Sequence, residues 1–238
     1  MRTRFWISAT AFALATVPSV LSAQLSRGAA PQSRYGILIG SNLSSVSETF
    51  QAVKAVVGAA YNTKRRVGLN AGVYANIPLP GAFSLQPEAH YSQKGVSYEV
   101  TNLNAQTTSA TVGLKLDYVE VPVLLKIDIG SKASSIHPIL FAGASGAFRI
   151  TCNIDVSSSI SSLNTSKACT ENTTSTSKDP IEKYDVSAVG GAGLSVSALG
   201  RSYALTLRYV QGLSKISTET GGSSPKNTVF SVQLGIGF

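Results

Sequence analysis

The stretch Asn227-Thr-Val-Phe-Ser-Val-Gln-Leu-Gly-Ile-Gly-Phe238 ends the chain and has an unbroken period of two. Successive side chains of a β-strand point to opposite faces, so each face of such a segment meets one kind of environment. We therefore predict a strand with one face toward lipid and the other toward an interior. The predicted lipid face carries Phe230, Val232, Leu234, Ile236 and Phe238, and the other face carries Val229, Ser231, Gln233, Gly235 and Gly237.

Residues 1–23 have the composition of a secretory signal. Arg2 and Arg4 precede an apolar run over residues 5–21 without an acidic residue, and small residues follow as far as Ala23. This order is typical of a cleaved signal peptide. A retained membrane helix is the weaker alternative, because polar residues and a proline interrupt the run. We predict residues 24–33 as a short periplasmic extension and residues 34–238 as the folded domain.

The composition favours a barrel in a membrane. After residue 23, no apolar run approaches the roughly 18 residues that a spanning helix needs, and closed barrels are the other way to cross lipid. Charged residues make up 13% of the sequence, whereas a water-exposed surface usually carries about 25–35%. A soluble barrel of the lipocalin kind would therefore have too little charge for its outer face.

The charge does not point to a nucleic-acid partner. Removing Arg2 and Arg4 lowers the formal net charge from +8 to +6, a mild basic excess. The basic and aromatic motifs of nucleic-acid readers are not recognised in the sequence.

Alternating segments predict eight strands with connections of two kinds. The strands cover residues 34–43, 66–77, 82–99, 112–129, 135–151, 183–198, 201–214 and 227–238. Short turns lie at 78–81, 130–134 and 199–200, and long loops at 44–65, 100–111, 152–182 and 215–226. An even strand number with short turns on one side and long loops on the other is typical of outer-membrane barrels, with turns and termini in the periplasm. The predicted fold is an all-β, eight-stranded, antiparallel up-and-down transmembrane barrel.

Aromatic spacing fits the height of such a barrel. Phe83 and Tyr91 are eight residues apart, as are Phe230 and Phe238. Eight residues span about 26 Å along a strand, or roughly 20 Å after tilting. These residues are candidates for two interfacial girdles, the alternative being the core aromatics of a β-sandwich.

The first long loop, 44–65, contains apolar residues at helical spacing from Phe50 to Tyr61 and then a basic trio, Lys64, Arg65 and Arg66. The segment can cap the barrel mouth as a short helix. The trio is a candidate contact for lipopolysaccharide phosphates. The plainer alternative is a solvated entrance to the second strand.

Cys152 and Cys169 are the only cysteines, and a signal peptide would send them to an oxidising compartment. We predict a disulfide between them that closes part of the loop 152–182. A metal site is disfavoured because no further Cys or His lies nearby in the sequence.

If the apolar faces meet lipid, the opposite faces form a lumen that an eight-stranded barrel fills with side chains. Buried charges must be paired. Counting residues from the turns predicts the pairs Glu88–Lys126, Lys94–Glu120 and Arg149–Asp185, with Arg208 at the level of the glutamates. The predicted luminal set is Glu88, His90, Lys94, Glu120, Lys126, His137, Arg149, Asp185 and Arg208, with Gly191, Gly193, Gly235 and Gly237 leaving room for the long side chains.

Two strands resemble a known family. Leu116-Asp-Tyr-Val-Glu-Val-Pro-Val-Leu-Leu-Lys126 and Leu85-Gln-Pro-Glu-Ala-His-Tyr-Ser-Gln-Lys-Gly95 are similar to strands of the PorT-like outer-membrane β-barrel proteins. The resemblance covers about residues 34–238 and implies a small barrel of the OmpA or OmpX kind. The terminal Phe238 resembles the signal read by the outer-membrane assembly machinery, which implies that machinery as a biogenesis partner. No residue carries over the family namesake's link to type IX secretion.

Three functions remain open. The first is a non-enzymatic barrel without cofactor or metal that makes contacts through its outer loops, since function often lies on loops held by a rigid scaffold. The second is a lipid hydrolase, because His90-Tyr91-Ser92-Gln93 weakly resembles an element of lipid A deacylases, although the sequence shows no evident acidic residue to orient the His. The third is a small pore, which a filled lumen disfavours.

Overall fold

A computed structural model describes residues 34–47, 61–100, 110–130, 135–158, 164–169, 181–217 and 225–238. The predicted signal segment, the extension 24–33 and most of the predicted helix in the first loop lie outside these residues. None of the described residues forms a helix long and apolar enough to span a membrane.

In the described part of the chain, ten antiparallel strands form one sheet. Eight long strands close the barrel, and two short ones lie at its ends. The strands are β1 (Tyr35–Val46), β2 (Tyr61–Ala75), β3 (Ile77–Pro78), β4 (Phe83–Val100), β5 (Ala110–Asp128), β6 (Ile136–Ser158), β7 (Thr165–Ala168), β8 (Tyr184–Ala198), β9 (Arg201–Gly212) and β10 (Asn227–Gly237). Their order is β2-β1-β10-β9-β8-β6-β5-β4-β3, and pairing of β2 with β4 completes the circle. The predicted eight-stranded antiparallel barrel is confirmed.

The two ends of the barrel differ, as the sequence predicts. One end, here the turn end, holds the connections β3–β4, β5–β6 and β8–β9 and both termini of the barrel, where Phe238 N donates to Tyr35 O at 2.8 Å. The β8–β9 connection is two residues long, with φ of 53° at Leu199 and 72° at Gly200. Two positive φ values give a type I′ hairpin, which matches the twist of the flanking strands. The opposite end, here the loop end, holds the four longer connections.

Three consecutive strands are longer than the barrel needs. β4, β5 and β6 have 18, 19 and 23 residues, whereas β1 and β9 have 12 each and β10 has 11. Together with residues 61–65 of β2, which pair with the end of β4, they extend past the other strands at the loop end as a sheet, here the projecting sheet. β7 pairs along the edge of this sheet with residues 153–156 of β6. Residues 61–65 and 152–158, predicted as loop, are therefore strand, because neighbouring chains continue to pair with them.

The outer wall carries large apolar side chains over its middle. Those of β10 follow the predicted stripe: Phe230, Val232, Leu234 and Phe238 are exposed and Ile236 is half-buried, whereas the residues that alternate with them are buried. Leu205 and Leu207 on β9 and Val121 on β5 continue the apolar belt. Such a wall suits lipid and would be unstable in water.

Aromatic residues border this belt at both ends. Phe83 and Phe238 lie at the turn end, and Tyr91 and Phe230 lie toward the loop end. At the loop end, the rings of Tyr209 and Phe230 have centroids 4.8 Å apart. The pattern fits the girdles predicted from the sequence.

Candidate functional site

The lumen contains a buried ionic cluster around Glu88. Arg208 Nη1 donates to Glu88 Oε2 at 2.7 Å, and Nη2 donates to Oε1 at 2.9 Å. His90 Nε2 lies 2.8 Å from the same Oε2, and the side chains of Glu88 and His90 are fully buried. Gln86 Nε2 donates to Oε1 at 2.7 Å. Glu88 on β4 thus accepts hydrogen bonds from Gln86 and from Arg208, which crosses the lumen from β9, and also contacts His90.

Glycines on the neighbouring strands β2 and β8 leave room for this cluster. A Cβ at Gly72 would come within 2.6 Å of the His90 ring, and a Cβ at Gly191 within 2.4 Å of the Phe141 ring. Phe141 in turn lies under Arg208, whose guanidinium carbon is 5.3 Å from the ring centroid. The predicted clearance at Gly191 therefore serves an aromatic platform beneath the charge.

A second ion pair lies nearer the loop end. Lys94 Nζ on β4 contacts Glu120 Oε1 on β5, and both side chains are almost fully buried. The Lys94 ammonium is also 5.2 Å from the centroid of the Tyr118 ring. The structure thus brings together the pair predicted from the sequence.

Amide and hydroxyl groups fill the space beside the two ionic groups. Asn42 Nδ2 donates to Ser92 Oγ at 2.9 Å, and Ser231 Oγ donates to Asn42 Oδ1 at 2.7 Å. Gln233 Nε2 donates to Asn70 Oδ1 at 2.9 Å. A smaller apolar cluster packs among these polar groups and consists of Leu124, Phe141, Val189, Val210 and Val229. The lumen is a filled polar core.

The predicted pairing of Glu88 with Lys126 is wrong. Lys126 lies near the turn end, where its Nζ is 3.6 Å from Asp128 Oδ1. Glu88 pairs with Arg208 because a long guanidinium side chain can cross a narrow barrel, whereas counting along neighbouring strands considers only adjacent partners.

Arg149 and Asp185 lie near each other on neighbouring strands, where Asp185 pairs with Ala147, but each of them binds other groups. Asp185 accepts hydrogen bonds from Ser214 Oγ at 2.6 Å and Asn227 Nδ2 at 2.8 Å. Arg149 Nη2 donates to Ile181 O at 2.9 Å. Both groups instead hold the bases of the long connections against the barrel mouth. His137 is half-buried at the turn end.

For the hydrolase hypothesis, the structure shows a carboxylate beside His90, but it also shows that the candidate residues are buried and closed to a substrate. No acid that could orient His90 was evident in the sequence, but Glu88 lies beside it on the same face of β4. Ser92 follows on that face, and Glu88, His90 and Ser92 are all at most 3% exposed. Because Glu88 is also bound by Arg208, this arrangement is that of a structural ionic cluster.

Apolar side chains close the lumen at the loop end, a feature that we did not predict. This loop-end cluster consists of the buried residues Val46, Val96, Tyr98, Leu114, Leu116, Tyr118, Ala147, Cys152, Ile181 and Ile216. Leu116 and Ile216 are fully buried. The signal was present in the sequence, because the inward positions of β4 and β5 change from polar to apolar beyond Lys94 and before Glu120.

The outward positions of the same strands change in the opposite sense. On β5, Val119 and Val121 are exposed apolar residues, whereas Lys115 and Asp117 precede them on the same face. On β4, Ser97 and Glu99 follow Tyr91 on the outer face. The inversion marks the level at which the projecting sheet leaves the apolar belt.

A disulfide fastens β7 to the projecting sheet. Cys152 and Cys169 are bonded with their Cα atoms 5.4 Å apart, and Cys169 N donates to Cys152 O at 3.0 Å. A β-bulge near residues 150–151 turns Cys152 inward, opposite Leu116. The predicted disulfide is present, but Cys152 lies in a strand and in the buried cluster, whereas the sequence predicts a polar loop there.

A charged patch covers the outer face of this sheet. Lys115 Nζ contacts Asp155 Oδ2, and Ser166 Oγ of β7 donates to Asp155 Oδ1 at 2.5 Å. The hydrogen bond from Lys115, followed by the one from Ser166, lowers the pKa of Asp155 below its usual value. Asp155 thus joins β5, β6 and β7 from the solvent side.

The basic trio lies at an irregularity between β2 and β4. The register shifts between Arg65 and Asn70, and Gln93 Oε1 accepts a hydrogen bond from Leu69 N at 3.1 Å in place of a ladder bond. Arg66 Nη1 donates to Lys94 O across this seam. Lys64 pairs with Glu99 at 2.6 Å.

Arg65 points away from β4, toward β10. Its guanidinium carbon lies 5.4 Å from the centroid of the Phe230 ring on β10. The trio is therefore part of strand β2, and its three members contact three different neighbours. Within the described residues, no group of three His, Cys, Asp or Glu side chains is placed to hold a metal ion.

Comparisons with solved structures return bacterial proteins of low sequence identity. The attachment invasion locus protein Ail of Yersinia pestis is 15% identical, with 87% of this chain and 97% of that chain covered and a TM-score of 0.38. Neisserial surface protein A is 11% identical, with 86% and 97% covered and a TM-score of 0.44. The translocator domain of the autotransporter NalP from Neisseria meningitidis is 11% identical, with 87% and 89% covered and a TM-score of 0.33. These scores are too low to add to the fold argument.

The search of curated proteins finds no match. A family model described as outer membrane protein beta-barrel domain matches residues 22–218. The match covers well over half of the chain and agrees with the closed antiparallel barrel. The protein therefore belongs to the outer membrane protein beta-barrel domain family.

Proposed function

We propose that this outer-membrane barrel is a non-enzymatic protein that presents the projecting sheet and the long connections of the loop end to partners outside the cell. The signal segment 1–23 would export the chain. The stripe that ends at Phe238 would engage the barrel assembly machinery, which would leave the turn end in the periplasm. The PorT-like resemblance supports the same topology.

The closed lumen is the observation that carries this proposal. The polar core is filled by paired side chains such as Glu88 and Arg208, and the loop-end cluster seals it from outside. A solute would have to break buried ion pairs and then pass apolar side chains. Contacts of the outer loops are the function that such a body supports best.

The design of the loop end supports the same proposal. The Cys152–Cys169 disulfide and the Asp155 contacts hold β7 at the edge of the projecting sheet. A rigid scaffold that displays polar connections reduces the ordering entropy that a partner must overcome.

Site-specific photocross-linking in intact cells tests the proposal. A cross-linking amino acid at Ser161 or Ser175, in the longest connection, should give adducts with another macromolecule. The same amino acid at Ala133, in a turn-end connection, is the matched control and should give no such external adduct. Replacing 159–163 and 171–180 by Gly-Ser segments of equal length should abolish the adducts while heat-modifiable gel mobility is retained. Equal labelling at both ends, or adducts that survive the replacement, would argue against the proposal.

A lipid hydrolase is the second candidate, and the contact between Glu88 and His90 is the observation in its favour. Incubation of the purified protein with lipid A checks it directly. Released fatty acid that disappears in His90→Gln would replace the non-enzymatic proposal. Planar-bilayer conductance is the corresponding check for a pore.

A further inference from the structure

A furrow crosses the outer wall at the height of the upper aromatic girdle. It has a volume of about 430 Å³, within the range of roughly 300–1,000 Å³ that is common for small-ligand sites. Its lining includes Ser41 and Leu43 of β1, Val67 of β2, Phe230 and Val232 of β10, Leu207 and Tyr209 of β9, and Gly190 of β8. Cross-strand pairing places Leu43 beside both Val67 and Phe230. The furrow is apolar and belongs to the belt that faces lipid.

The outer wall turns polar one residue pair above the furrow. Ser45 of β1 pairs with Thr228 of β10, which pairs with Gln211 of β9. Gln211 Oε1 accepts a hydrogen bond from the Tyr209 hydroxyl at 2.6 Å. These hydroxyl and amide groups lie directly above the aromatic pair Tyr209 and Phe230. A molecule lying in the furrow would therefore have its polar end at this row.

Arg65 supplies a positive charge at the same height. Its guanidinium lies over the Phe230 ring, which leaves the edges of its planar group free to donate hydrogen bonds. Arg65 makes no ion pair with another residue in the described part of the chain. The neighbouring Lys64, in contrast, is neutralised by Glu99.

We propose that the furrow and Arg65 form a binding site for a phosphorylated outer-leaflet glycolipid of the lipid A type, with a phosphate on Arg65 and one acyl chain in the furrow. This inference deepens the proposed function, and it rests on that function's assignment of the loop end to the outer leaflet. Three features select this occupant. The furrow lies in the lipid-facing belt, so its ligand carries an acyl chain. The unpaired guanidinium favours an anion, and Arg binds phosphate with paired donors. The row of hydroxyl and amide groups matches a sugar head group.

Native mass spectrometry of the full mature chain in zwitterionic detergent tests the site with added bis-phosphorylated lipid A. Arg65→Ala should weaken binding by about tenfold, because hydrogen bonds to charged groups contribute roughly 1.5–3 kcal/mol and each 1.4 kcal/mol is tenfold. Lys64→Ala is the matched control. It also removes one positive charge, but from the residue next to Arg65, and that charge is already paired with Glu99. Equal losses in the two variants would reduce the effect to general electrostatics and overturn the site.

Two further arms separate the phosphate from the acyl chain. Dephosphorylated lipid A should bind about as weakly to the natural protein as to Arg65→Ala. Ser41→Leu should fill part of the furrow and weaken lipid A binding, while heat-modifiable mobility shows that the barrel still folds. Phosphatidylglycerol should bind more weakly than lipid A, and Arg65-dependent binding of equal strength would overturn the choice of glycolipid. The cross-linking of the long connections does not involve Arg65, so this site and the proposed function can fail separately.

Discussion

The two halves of the interior differ in the side chains that fill them. Within the apolar belt, inward positions of β4 and β5 hold charges such as Glu88 and Glu120, and the outer wall is aliphatic. In the projecting sheet, the inward positions of the same strands hold Leu114, Leu116 and Tyr98, and the outer face carries Lys115 and Glu99. The parity of the strands does not change. The environment outside the strands changes from lipid to water. Apolar side chains therefore point outward in the apolar belt and inward in the projecting sheet.

The largest loss of stability is expected from breaking the Glu88–Arg208 ion pair in the polar half of the interior. Glu88→Gln leaves Arg208 buried without a countercharge, and removal of one partner of a buried pair costs about 3–5 kcal/mol. Urea unfolding of the protein in detergent or vesicles would measure this loss. Glu99→Ala, which breaks the exposed pair with Lys64, should cost no more than about 1 kcal/mol.

A second variant distinguishes lost charge pairing from lost packing. Combining Glu88→Gln with Arg208→Met removes both charges and should recover much of the stability, because paired removal leaves no isolated buried ion. A double variant as unstable as the sum of its two single changes would contradict the ionic account.

The stability of the apolar half, the loop-end cluster, should depend on the volume of its buried side chains. Leu116→Ala deletes a fully buried side chain opposite Cys152, and large-to-small changes of this kind cost about 3 kcal/mol. Val121→Ala, on the lipid-facing wall of the same strand, is the matched control and should cost much less. Equal midpoints in urea for these two variants would show that the loop-end cluster is not a packed core.

The disulfide should contribute less to the free energy of unfolding than the polar half or the apolar half of the interior. The double variant Cys152→Ser, Cys169→Ser should lower stability by about 2 kcal/mol, at the lower end of the usual range, because the β6–β7 hydrogen bonds also hold the segment. Thermal unfolding with and without reductant gives the difference. The barrel itself should remain folded by heat-modifiable mobility, since Cys152 lies in the projecting sheet.

The smallest expected effect is a pH dependence of the stability that Asp155 contributes. The pKa of Asp155 is lower in the folded protein than its unfolded value, so its contribution is fully present above the unfolded pKa of about 3.9. That contribution is lost as the pH falls through the folded pKa. The difference in melting temperature between the natural protein and Asp155→Asn should therefore shrink between pH 7 and pH 3. A difference that grows on acidification would have the wrong sign.

Alternation along single strands was sufficient to predict the walls. It identified the lipid stripe from Phe230 to Phe238 and the inward direction of Glu88, Lys94 and Glu120, because parity is a local property of a strand. It also placed Lys94 beside Glu120, since these residues lie on neighbouring strands. It failed for Glu88, whose partner Arg208 lies on β9 and reaches across the lumen.

The sequence by itself determined the class of fold, the polarity of each strand face, the difference between the turn end and the loop end, and the cysteine pair. Each follows from a short-range pattern or from the number of candidates. The tertiary structure alone decided the partner of Glu88, the burial of Cys152 and the proximity of Arg65 to Phe230. Those depend on which strands close the circle and on a bulge in β2 and another in β6, and neither leaves a pattern within a single strand.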